Sequence, residues 1–170
     1  MTITELLLPE FDTEMANTRK VLERIPEDKF GWRAHAKSAT MGETATHLVN
    51  MTTWVYNILD TDSIDFAPTH GEPPVRPTLL TNRQEMLARF DANVAAARAR
   101  LAVATDDEYQ QTWSMLKAGQ VLFSQPKSQV LRSFVMNHTI HHRAQLVVSL
   151  RLNDVPLPML YGPTADEQGM

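Results

Sequence analysis

Four stretches of this chain repeat apolar residues at intervals of three and four, the period of a helix buried along one face, and breaker-rich segments separate them. The first runs through Leu7, Phe11, Met15, Thr18, Leu22 and Ile25 and meets a stop at Pro26. Thr2 with Glu5 reads as its capping box, while Pro9 either kinks it or marks its true first turn. A second capping box, Thr40 with Glu43, opens a face of His47, Met51, Trp54 and Ile58. Thr81 and Gln84 can cap a third helix carrying Leu87, Phe90, Val94, Ala97 and Leu101. Ser124 and Pro126 introduce the fourth, which passes through HTIHHRAQ to about Asn153, where Pro156 and Pro158 forbid continuation.

The intervening segments differ in kind. Residues 26 to 39 form an irregular connection with two aromatics, Phe30 and Trp32, expected to be buried. Thr61 to Pro77 holds Pro68, Gly71, Pro73, Pro74 and Pro77, too many breakers for regular structure, and reads as a long surface loop. Alternation in YQQTWSMLKAGQVLF around Lys117-Ala118-Gly119 predicts a short hairpin or an extended excursion. Trp54 joins Trp32 as a core expectation, and Trp113 is unplaced. The expected fold class is therefore all-α: a four-helix bundle with a long crossover and a short β-hairpin before the last helix, in one domain spanning residues 1–170.

Composition narrows the function. A net charge of -4 without a dense Lys/Arg cluster lacks the footprint that binding a phosphate backbone requires, so nucleic acid is not an expected partner. No apolar run is long enough to cross a bilayer, and the N-terminus MTITELLLPEF lacks the basic and long apolar regions of a signal peptide, so a cytoplasmic protein without membrane partners is expected. With no cysteine, the chain has no disulfide, no thiolate ligand and no thiol nucleophile of its own. Imidazole and carboxylate remain, and the six histidines become the residues to place.

His138 and His142 stand one turn apart on the fourth helix, a spacing that lets two imidazoles aim at one point. Catalytic metal centres of the zinc type usually take three protein ligands, so a third must come from elsewhere. His47 is the candidate, because on an apolar helix face an unpaired imidazole would lose its hydration for nothing. By spacing alone His141 could replace His142, although a flanking role suits it better; His35 and His70 fall in loops. Glu43 is explained by its capping box without a metal. Arg143 and Gln145 could orient a ligand, bind substrate, or serve as ordinary polar residues near a helix end.

Three segments together resemble the DinB/YfiT-like superfamily of metal-binding four-helix bundles. FGWRAHAKSATMGETATHLVNMTTW is similar to that family's entry into its second helix, NHTIHHRAQLVVSLRLNDVPLP to its H-x-x-x-H helix, and YGPTADE to its usual ending. The resemblance implies that His47, His138 and His142 are the metal ligands, with His141 outside the set. It also implies a homodimer and a divalent ion, nickel, zinc or iron, in different members. A metal-dependent enzyme is the expectation, a transferase or hydrolase acting on a small molecule, with a low-molecular-weight thiol as a partner implied by the family's active members. The alternative is a non-catalytic protein that binds metal or a small ligand at the same site. No catalytic residue is assigned.

Overall fold

The computed structural model describes residues 1–71 and 77–168. Helix α1 spans Ile3–Glu23 and starts with the expected box: the Thr2 hydroxyl accepts from the Glu5 amide while the Glu5 carboxylate accepts from the Thr2 amide. Pro9 sits inside it. The buried stripe is Leu7, Phe11, Met15, Thr18, Val21 and Leu22, at the predicted period. After Pro26 a single 3-10 turn, Glu27–Lys29, leads into the irregular connection, in which Phe30 is buried and Trp32 only half-buried.

Helix α2, Met41–Met51, begins with the Thr40–Glu43 box. The second helical face does not run unbroken to Ile58. The Val49 carbonyl accepts from the Asn93 side chain (3.0 Å) and from the Thr52 hydroxyl (3.1 Å), and the Thr53 hydroxyl takes the Asn50 carbonyl (2.8 Å). Side chains thus compete with the backbone for the last carbonyls of the helix. The chain makes a tight turn and resumes as α3, Trp54–Leu59.

The expected loop is not wholly irregular. Ser63–Asp65 forms strand β1, which pairs in parallel with β2, Thr112–Lys117; β2 pairs antiparallel with β3, Gln120–Pro126. The chain is thus mostly helical with a three-stranded sheet, where the sequence predicts a hairpin alone. Of the expected loop, Pro73 and Pro74 lie outside the described residues. The hairpin itself turns through Ala118 and Gly119, both at positive φ (52° and 76°), the backbone that a two-residue turn between twisted strands requires. Asp65 from β1 holds this turn, accepting from the Ala118 amide (3.0 Å) and the Gly119 amide (2.7 Å).

Helix α4, Arg83–Val103, buries Met86, Phe90, Ala97 and Leu101. Its cap is Asn82, whose side chain accepts from the Glu85 amide (2.8 Å), one residue beyond the predicted Thr81. A short helix, α5 (Asp106–Gln110), occupies the start of the segment read as alternating. The last helix is continuous in space but not in pitch. Helix α6, Lys127–Val130, passes through π-helical turns at Leu131–Asn137 into α7, His138–Arg151. Helix α1 packs on α4 and α7, and α2 packs on the same two, so the histidine-bearing helices α2 and α7 meet directly.

Trp113, which sequence leaves unplaced, is fully buried. Its indole N–H donates to the Asn57 carbonyl (3.0 Å) and the Thr61 hydroxyl (3.2 Å), fastening the sheet to the end of α3. No helix among the described residues is long and apolar enough to cross a membrane.

Candidate metal centre

Helix α2 presents His47 one turn past the Thr40–Glu43 cap, and α7 presents His138 and His142 one turn apart, so the packing of two helices brings three imidazoles together. The His138 and His142 Nε2 atoms are 2.8 Å apart, and His47 Nε2 is 3.5 Å from His138 Nε2. One ligand atom from each residue falls within 4.8 Å of both others. Three imidazole nitrogens on one ion at bonds of about 2.0–2.1 Å and tetrahedral angles would stand roughly 3.3 Å apart. The observed spacing brackets that value, and a set of neutral nitrogen donors is what zinc, nickel or iron(II) accepts. The residues present therefore fit a divalent ion.

Their protonation suits the same purpose. Burial, reinforced by the charges His142 and His138 would carry, pushes the His47 imidazole down to about 4. Burial also lowers His138 and His142 from the ordinary histidine value. At neutral pH all three rings are uncharged, so a cation would not have to displace protons to bind.

The other sequence candidates have definite places. His141 points outward and is exposed, as are His35 and His70. Glu43 spends Oε2 on the Thr40 amide (2.7 Å), and that bond with the Thr40 hydroxyl and nearby Arg33 keeps its carboxyl below the usual range. Gln145 Oε1 lies 3.0 Å from His142 Nδ1, and Gln145 Nε2 lies 3.0 Å from His141 Nε2. Arg143 turns away from the histidines into the core, where it is 1% exposed and donates to the Glu14 carboxylate, the Glu14 carbonyl and the Thr18 hydroxyl. Tyr161, from the YGPTADE ending, closes this network by donating to Glu14 (2.7 Å) and stacking under the guanidinium.

A cavity of about 330 Å³ opens beside His47, lined by Glu43, Thr46, Pro77 and Leu79. The segment carrying Pro77 and Leu79 is held over α2 by the Leu80 amide, which donates to the Thr46 hydroxyl (2.9 Å). On the other flank Phe134 meets the His138 ring edge to face and continues into Trp54 and Phe123. Sequence reasoning missed this aromatic wall, because its members come from three elements with no shared period.

The model of the DinB family matches residues 1–169. The chain belongs to the DinB family. Solved structures agree on the fold. A DinB-like protein from Bacillus cereus ATCC 10987 superposes with a TM-score of 0.68 at 20% identity, over 91% of this chain and 95% of that one. YjoA, a DinB-like protein from Bacillus subtilis, gives 0.66 at 17% identity, over 97% and 99%. No curated protein matches the sequence. Membership and fold thus accord with the resemblance carried by the two histidine segments and the YGPTADE ending.

Proposed function

We propose that this DinB-family chain is a metal-dependent enzyme acting on a small molecule, with His47, His138 and His142 holding one divalent ion. The observation that carries the reading is the convergence of three imidazoles from two packed helices on one point. A divalent ion held there supplies Lewis acidity that lowers the pKa of a coordinated thiol or water toward neutrality.

The surrounding residues suit a small ligand better than a closed storage site. The cavity beside His47 is of the size small-molecule sites occupy, and its walls combine apolar Pro77 and Leu79 with the polar edges of Glu43 and Thr46. Glu43, held ionised by its cap, is the acceptor available to a donor group on that ligand. Because the chain has no cysteine, a thiol nucleophile has to arrive as a cosubstrate, which favours a thiol-dependent transferase over an enzyme with its own thiol. A hydrolase using water is the second form of the same chemistry.

Elemental analysis of untagged protein prepared without chelator tests the reading, beside His47→Ala, His138→Ala and His142→Ala. Near-stoichiometric metal in the wild type, lost in all three variants, is expected. A stable wild type that takes up no added nickel, zinc or iron would overturn it.

A further inference from the structure

We infer that Gln145 is a positioning residue for this centre, its carboxamide holding His142 in the tautomer whose Nε2 faces the other two histidines as a lone pair. The inference rests on the metal reading above. Gln145 is exposed and fills no core, yet both ends of its amide are engaged. A carboxamide offers donors only on nitrogen and accepts only on oxygen, so its two contacts fix one another. With Nε2 directed at His141, Oε1 is left to face His142 Nδ1 at 3.0 Å, and that nitrogen must carry the ring proton. His142 Nε2 is then unprotonated and points at His138.

In the metal-free chain that His142 lone pair can accept from His138 Nε2 at 2.8 Å, and a bound cation would take it instead. The Gln145 bond to Nδ1 therefore sets the inner lone pair of His142. A free imidazole in water favours the opposite tautomer, with the proton on Nε2. Without Gln145, His142 would have to change tautomer before it could bind a metal.

The test uses the full chain with Gln145→Leu, which removes the acceptor, and Gln145→Glu, which keeps one. On metal-free protein, long-range proton–nitrogen NMR correlations of the imidazoles should show His142 protonated at Nδ1 in the wild type and at Nε2, or mixed, in Gln145→Leu. Zinc affinity, read by competition with a chromophoric chelator, should weaken by about 10–100-fold in Gln145→Leu. Gln145→Glu should bind zinc at least as tightly as the wild type. Thermal unfolding of the metal-free variants should match the wild type, which a purely structural role would not allow. A wild-type His142 protonated at Nε2, or unchanged zinc affinity in Gln145→Leu while His142→Ala abolishes binding, would overturn the inference and leave the metal reading standing. Zinc binding that survives His142→Ala would overturn the metal reading itself, while the NMR result on metal-free protein would still decide the role of Gln145.

Discussion

The Arg143 guanidinium lies 2.6 Å from the Glu14 carboxylate, one residue along the chain from His142 and almost wholly out of solvent. Removing one partner of such a pair leaves an uncompensated buried charge, which costs about 3–5 kcal/mol. Glu14→Ala should lose stability on that scale in urea unfolding of metal-free protein. The double variant Glu14→Met with Arg143→Met should recover most of the loss, because the pair's own net contribution is small once desolvation is counted. A Glu14→Ala protein as stable as the wild type would show that Tyr161 and Thr18 satisfy Arg143 unaided.

Acid should act on the metal-free protein through the three histidines. His47 ionises in the folded chain at about 4, below its ordinary 6.5, so between those values the unfolded chain binds more protons than the folded one. Stability is therefore complete above pH 6.5 and falls as the pH is lowered toward 4. Burial lowers His138 and His142 too and adds to the same slope. Unfolding midpoints measured across this window should drop more steeply for the wild type than for His47→Leu. Equal slopes would mean that carboxylates carry the whole acid response.

Gly42 has no room for a side chain. A Cβ there would stand 3.0 Å from the Phe30 carbonyl oxygen and 3.1 Å from the Phe30 ring, while the Gly42 amide donates to that same carbonyl at 2.8 Å. Gly42→Ala should cost about 1–3 kcal/mol, the usual result of overpacking a fitted contact. It should also reduce metal uptake, since Gly42 ties the 26–39 connection to the first turn of the helix that carries His47. Full stability in Gly42→Ala would mean that Phe30 moves aside freely.

Trp113→Ala should be among the most damaging single changes, at about 3–5 kcal/mol, because it empties a fully buried site and leaves the Asn57 carbonyl without its indole donor. Trp113→Phe keeps most of the packing and should cost less. Urea unfolding of the two variants orders them. If both are equally destabilised, the indole hydrogen bonds and not the filled volume hold the sheet to α3.

What could be read from the sequence was local. The Thr2–Glu5 and Thr40–Glu43 boxes and the pairing of His138 with His142 depend on residues three or four apart and appear as expected, while the predicted face of α4 buries Phe90, Ala97 and Leu101 and leaves Leu87 and Val94 half-buried. What could not be read was set by distant partners. The break after Met51 arises because Asn93, on another helix, takes the Val49 carbonyl, and β1 exists only because β2 lies beside it. Neighbouring residues leave Arg143 open between orienting a ligand, binding substrate and an ordinary polar role near a helix end, whereas Glu14, far back in the sequence, claims it. The site falls between these cases. Spacing gives two of its histidines, while adding His47 takes the apolar face and the family resemblance, and its cavity and aromatic flank take the fold.

The π-helical turns between α6 and α7 have one more consequence. At its start this helix is anchored by the buried Lys127, which donates to the Leu59 carbonyl (3.1 Å) and Gln111 (3.2 Å); beyond Asn137 it must aim two histidines at α2. A π turn holds about one residue more than an α turn, and each residue of an α-helix rotates its side chain by roughly 100°. The extra residue thus lets one rod carry two phases, one matched to the Leu59 and Gln111 anchor and the other to His47. A chain one residue shorter between Leu131 and Asn137 would have to satisfy its anchor or its histidines, but not both.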